Sequence, residues 1–255
     1  MTRRFCIMLR VLAIAGIVAL CAVCNPSTAL AGEPAEAVAP VISNTPQLGD
    51  FDVMRDRRRI RVLAPYSRTL YFSDKGRESG LTAETARDFE TYLNKKYRKA
   101  LGRRPITVVI VPTPREKLIA RVAQGLGDIA AGNLTATPER LGQVDFFIPD
   151  SKRTVSEIVL TSKKVGPLDS VDRLSGQSVY VRQSSSYFGS LQALNRRFAG
   201  EGKPLVKIVT VDDALEDEDM MEMVDAGVIG AIVVDDWKAR MWAKVLPGMI
   251  MNEKA

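Results

Sequence analysis

The chain has 255 residues, 46% of them hydrophobic, a formal net charge of +6 and no histidine. Without histidine there is no Ser-His-Asp triad, no Cys-His pair and no imidazole-ligated zinc. No metal or cofactor is expected. With 36 basic residues interspersed among 30 acidic ones, the composition makes no case for nucleic acid as a partner.

Arg3, Arg4 and Arg10 precede and open an apolar run over 11–23, and Ala29-Leu30-Ala31 is a small-x-small cleavage pattern. Residues 1–31 therefore read as a secretory signal peptide. The run falls short of the ~20 residues that a spanning helix needs. Cys6, Cys21 and Cys24, the only cysteines, all lie in this leader, so cleavage leaves a chain without disulfides that must stand on its hydrophobic core. No small residue stands just ahead of Cys24, which ranks simple cleavage above lipidation there. Three of the 36 basic residues leave with the leader, and the remainder balances 33 against 30, or +3. The expected location is the periplasm, with peripheral membrane association left open.

Residues 32–50 are rich in Ala and Pro without an apolar period and read as a linker. The run Arg57-Arg58-Arg59-Ile60-Arg61 reads as a solvated strand entrance. From there a strand at 60–64, a helix at 83–100, a strand at 106–111, a helix at 115–124 and a strand at 128–131 follow in turn. Ala86, Phe89, Leu93 and Tyr97 recur at three- and four-residue spacing and mark a buried helix face. A second set follows: an extended run at 155–161, a helical turn at 172–174, strands at 178–181, 206–209 and 230–234, and helices at 187–198, 214–226 and 237–245. Strands alternating with helices over short connections predict an α/β fold with helix-covered parallel sheets. The boundaries fall at 51–150 for a first lobe and 151–245 for a second, joined by an extended crossing.

The most informative stretch is DIAAGNLTATPERLGQVDFFIP, from Asp128 to Pro149. A strand end meets a turn with two threonines, Pro138 opens a helical turn, and Arg140 sits within it. A guanidinium beside hydroxyls and free N–H groups at a helix start is a ready carboxylate site. The competing reading is a plain connection with a solvated arginine and capping threonines. In the second lobe, Ser184, Ser185 and Ser186 stand between a strand and a helix, where they either present hydroxyls and N–H groups to an acceptor or simply cap the helix. The acidic run Glu216-Asp217-Glu218-Asp219 reads as a solvated, dipole-favouring helix start rather than a catalytic pair.

Thr135, Thr137, Glu139, Arg140, Val144, Asp145, Phe146 and Pro149 stand in an order that resembles the bacterial extracellular solute-binding proteins of family 3, the periplasmic amino-acid receptors. Gly127 to Thr135, Ser185 to Phe188 with Leu191, and Val233 to Asp236 are similar to one branch, the N-terminal sensor domain of membrane-bound lytic murein transglycosylase F. The stretch Gly80-Leu81-Thr82-Ala83-Glu84-Thr85 departs from the family's G-F-x-x-D/E-L by losing the aromatic residue.

The resemblance implies a two-lobed periplasmic-binding-protein type II fold with ligand in the cleft. It also implies that Thr135 and Arg140 hold a ligand α-carboxylate, while Asn133 adds an amide contact or narrows the pocket. Asp235 would pair with the α-ammonium, with Asp236 as a substitute; Ser184–Ser186 and Arg182 would touch the ligand from the second lobe; Tyr66 and Tyr71 would supply an aromatic wall, with core packing the alternative for Tyr71. The expected role is therefore capture of a small zwitterion, an amino acid or short cell-wall peptide, for transport or sensing. The alternative is the regulatory domain of a lytic transglycosylase whose catalytic domain lies outside this chain; no catalytic residue is expected within it. Expected partners are the small-molecule ligand and then an ABC-transporter permease or peptidoglycan, with a monomer as the oligomeric state. Residues 246–255 are expected to start a return crossing to the first lobe, which leaves the fold incomplete at its C-terminus.

Overall fold

A computed structural model describes residues 45–147 and 155–255. The expected signal peptide, residues 32–44 of the linker, and residues 148–154, which take in the start of the expected crossing, lie outside the described residues. Among those described, no helix is long and apolar enough to cross a membrane.

The chain enters through α1 (Phe51–Asp56) and β1 (Arg59–Ala64), then makes the hairpin β2 (Phe72–Asp74) and β3 (Arg77–Ser79). Next come α2 (Leu81–Lys96), α3 (Arg98–Leu101), β4 (Thr107–Pro112), a 3-10 turn at Arg115–Lys117, α4 (Leu118–Ala123), β5 (Ile129–Ala130) and α5 (Pro138–Leu141). The second half comprises β6 (Glu157–Ser162), a 3-10 turn at Val171–Leu174, β7 (Ser178–Arg182), α6 (Ser186–Gly200), β8 (Lys207–Val211), α7 (Asp217–Asp225), β9 (Ala231–Asp235), α8 (Asp236–Trp242) and β10 (Met249–Asn252).

The strands form two main sheets. The first has the order β4-β1-β5 and is parallel throughout. Five of the six residues of β1 are buried, as a strand covered on both faces requires. Ile60, Val62 and Ala64 pack toward α2 with Ala86 and Leu93. Leu63 and Val111 pack on the opposite face with Leu118 of α4. Such alternation on a single strand is the period-2 rule of a pleated sheet.

The second sheet has the order β10-β6-β9-β7-β8. Here β7 pairs in parallel with β8 and β9, whereas β6 is antiparallel to β9 and β10. Leu160, Ile232 and Val234 face α7 and its Met220, Met221 and Val224. Val159, Val179, Val181 and Val233 face α6, through Tyr187, Leu191 and Phe198. β10 adds 249–252 to this sheet in the stretch expected to open a return crossing, and runs back along β6 toward the end where that strand begins.

Three elements lie beyond those expected from the sequence: α1, the β2–β3 hairpin and β10. All are short and carry little periodicity of their own. The arginine run is not the solvated strand entrance expected. Arg61 is buried and its guanidinium spans Asp128, with Nη2 2.8 Å from Oδ1, while Arg57 closes on the other carboxylate oxygen. Burial disfavours the Asp128 charge, but the hydrogen bonds from Arg61 and Arg57 outweigh it and hold its carboxyl below the usual range. The strand entrance is thus an internal ion cluster rather than a solvated edge.

Candidate functional site

Parallel strands leave ligand sites at their carboxyl ends, where the connecting loops gather. The loops after β4 and β5 supply Arg115, Asn133, Leu134, Thr135 and Arg140 from the first lobe. Facing them are Arg182 at the end of β7, Ser184–Ser186 at the start of α6, Asp217 at the start of α7 and Lys238 of α8. Together these residues line a small inner cavity of about 30 Å³, room for a single water-sized group. It adjoins an outer cleft of about 950 Å³, whose walls share Arg115, Thr135, Arg140 and Ser184–Ser186 and add Glu116, Glu139, Glu157, Ser190 and Gln192.

Arg140 is placed by its own turn. Thr137 caps α5 by accepting the Arg140 N–H at 3.3 Å, with Pro138 opening the helix behind it. The guanidinium donates from Nη1 to the Thr135 carbonyl at 3.0 Å and from Nη2 across the cleft to the Ser184 carbonyl at 3.1 Å. Among the described residues no carboxylate pairs with it. Desolvation, then repulsion from Arg115, lowers its pKa from the ordinary arginine value. Such a half-buried cation gains from an anion brought to it.

The opposite wall is pinned by its own contacts. Ser184 donates Oγ to Asp213 at 2.7 Å, Ser185 donates Oγ to the Arg182 carbonyl at 2.9 Å, and Ser186 Oγ lies 3.5 Å from the Thr135 hydroxyl. Asn133 takes a left-handed backbone (φ 48°) and faces the inner cavity, so a polar amide rather than an apolar side chain sits at that turn.

The acidic run differs most from its expected role. Glu216, Asp217 and Glu218 are buried, not solvated. Arg115 reaches across the cleft to grip Glu216, with Nε 3.0 Å from both carboxylate oxygens and Nη2 2.6 Å from Oε2, while its Nη1 donates to the Gly132 carbonyl at 2.6 Å. Arg182 and Lys238 both close on Asp217. Burial alone would raise the Asp217 carboxyl, but Lys238 and Arg182 outweigh it and hold it below the usual carboxylate range. Glu218 accepts from the Ser67 hydroxyl at 2.6 Å, a further bond between lobes. The apolar spacing of Met220, Met221 and Val224 signals that α7 is amphipathic; only the fold shows that its first turn points into the cleft.

Other expected positions lie elsewhere. Tyr71 belongs to the first lobe's core, 6% exposed, with its hydroxyl 3.2 Å from Glu78. Tyr66 is 62% exposed, and neither tyrosine is among the lining residues of the inner cavity or outer cleft. Asp235 is 5% exposed and does not line either space. Its N–H donates to the Tyr187 hydroxyl at 3.1 Å, and the Tyr187 side chain takes the wall position instead. Burial raises the pKa of Asp235, only partly offset by Lys238. Arg182 lines the inner cavity but is 2% exposed and engaged with Asp217. Among the described residues there is no group of three or more metal-ligating side chains placed to hold an ion.

A family model described as bacterial extracellular solute-binding proteins, family 3, matches residues 59–238. The chain belongs to this family. Its two-lobed type II periplasmic-binding architecture recurs in solved structures. A holo arginine-binding protein of T. maritima superposes with a TM-score of 0.59 at 19% identity, over 79% of each chain. An ancestral arginine-binding protein bound to arginine gives 0.54 at 24% identity, over 77% of this chain and 79% of that one. A Streptococcus mutans protein described in connection with glutathione import gives 0.60 at 15% identity, over 76% and 74%.

A curated relative, membrane-bound lytic murein transglycosylase F of Ectopseudomonas mendocina (strain ymp), is 26% identical over 191 residues. That match takes in 74% of this chain but only 36% of the relative's length. This family 3 chain therefore matches a binding-protein domain and not a catalytic one, and proteins of its family are typically extracellular or periplasmic.

Proposed function

We propose that this chain is an exported solute-binding module that captures a small ligand by its carboxylate in the cleft between the lobes. The observation that carries this reading is Arg140: a half-buried guanidinium spanning the two lobes, with no acidic partner among the described residues. A bidentate carboxylate supplies the missing charge. Thr135 and Ser186 stand beside it with hydroxyls, and Ser184–Ser186 bring the N-terminus of α6, a helix of 15 residues, to the same wall. Asn133 and Arg182 complete the inner surface. Because Arg140 touches both lobes, ligand bound there favours the closed arrangement.

Calorimetric titration with amino acids and short peptides tests the reading. Arg140→Ala is expected to weaken binding by about 2 kcal/mol, roughly thirtyfold, the lower end for a desolvated charge pair because the site is only half buried. Affinity that is unchanged in that variant, or an absence of binding across the panel, overturns the proposal.

A second reading, favoured by the transglycosylase relative, makes the module the sensing half of a peptidoglycan-cleaving enzyme. Its test is the coding sequence beyond Ala255. A lysozyme-like domain there supports the enzyme, and a stop codon soon after a lobe-closing segment supports a transport receptor working with an ABC permease.

A further inference from the structure

The outer cleft contains an acid that mirrors Arg140. Glu157, the first residue of β6, lines the same 950 Å³ space and is half buried. Its surroundings are the hydroxyls of Ser186 and Ser190 at the start of α6, and no cation pairs with it among the described residues. Across the ladder its partner is Asp235, a second carboxylate. Burial first, and then Asp235, raise the pKa of Glu157 above the ordinary glutamate value. The two acids are not equivalent. Asp235 has Lys238 close enough to favour its charge and lines neither space, whereas Glu157 lines the cleft and has no such neighbour among the described residues. Glu116 and Glu139 also line this space, but both are exposed, where water screens them.

One half-buried cation and one half-buried anion, each without a counter-ion among the described residues, thus face a single cleft. A partner for either alone leaves the other unsatisfied; a molecule carrying both charges satisfies the two at once. We propose that Glu157 receives the cationic amine of a zwitterionic ligand whose carboxylate rests on Arg140. The ligand then lies along the wall between α5 and the start of α6, not pointed into the second sheet toward Asp235. The cleft is at the upper end of the roughly 300–1,000 Å³ usual for small-molecule sites, so it admits a short peptide as well as a free amino acid. This inference rests on the Arg140 reading.

The test is calorimetry of the full chain with alanine, arginine, glutamate and Ala-Ala, each with a free and an acetylated amine. The wild type is expected to favour the free amine of whichever probe binds by at least about tenfold, as a charge-assisted hydrogen bond supplies. Glu157→Gln keeps the side chain's size and should bind free and acetylated forms alike. Asp235→Asn should retain the preference, and Arg140→Ala should weaken both forms. Equal binding of free and acetylated probes by the wild type overturns the Glu157 assignment while leaving the Arg140 reading intact. So does a preference that survives Glu157→Gln but disappears in Asp235→Asn. If no probe binds, both fail together. A Glu157 that merely supported the fold would weaken both forms equally and leave their ratio unchanged.

Discussion

Asp217 is a buried acid between two buried cations of the second lobe, Arg182 and Lys238. Replacing such an acid leaves both cations in low dielectric without compensation, which is costlier than losing the attraction itself. Asp217→Asn is therefore expected to cost roughly 3–5 kcal/mol of unfolding free energy, seen as a lowered urea midpoint. A loss under about 1 kcal/mol would mean that water or backbone relaxation already screens the trio. By contrast Arg68, which meets Glu222 at 2.6 Å and Asp219 at 3.0 Å across the lobes, is exposed together with both acids, so its pairs add little.

At the scale of elements, α2 depends on the residue before it. Gly80 has φ 103°, and a Cβ there would stand 2.5 Å from the Leu70 carbonyl oxygen. The close approach exists because Thr82 donates its N–H back to that same carbonyl at 2.8 Å, tying the helix start to the loop after β1. Gly80→Ala is thus expected to destabilise by roughly 2–4 kcal/mol, through backbone strain and steric conflict together. Thermal and urea unfolding of the variant check this, and an unchanged midpoint would show that the loop yields freely. Start of α7 is held differently: the Glu216 N–H donates to the Asp219 carboxylate at 2.9 Å, closing its first turn locally while the Glu216 and Asp217 side chains turn to the cleft. One four-residue run thereby serves as a helix start and as the acidic side of the seam between lobes.

The whole molecule is joined across that seam by polar contacts: Arg115 to Glu216, Arg140 to Ser184, Ser67 to Glu218, and the Trp242 Nε1–H to the Thr69 hydroxyl at 3.0 Å. Its stability should follow pH accordingly. Asp128 and Asp217 have folded-state pKa values below the ordinary 3.8, so their contribution is complete above that value and is lost as pH falls through the lower folded values. Glu157 and Asp235 have raised values; their protonated forms favour the folded chain at low pH, and that share fades as pH rises through the folded values. The expected result is a urea midpoint that declines steeply below about pH 4, with the decline reduced in Asp128→Asn. A midpoint level from pH 7 to 3 would contradict it.

Alternation of apolar strands and amphipathic helices determined the α/β class and the two sheets from sequence alone, because periodicity records which face of each element is buried. The order from Thr135 to Phe146 likewise marked the turn that holds Arg140, since capping and the Pro138 start are local properties. The partners of charged groups are not local. Arg115 and Glu216 are 101 positions apart, and nothing in either segment announces the other. Whether Glu216 and Asp217 are solvated, whether Asp235 or Glu157 reaches the cleft, and whether Tyr71 faces ligand or core depend on how two sheets meet. Only the tertiary structure decides them, because burial of a charge depends on what the rest of the chain brings to it.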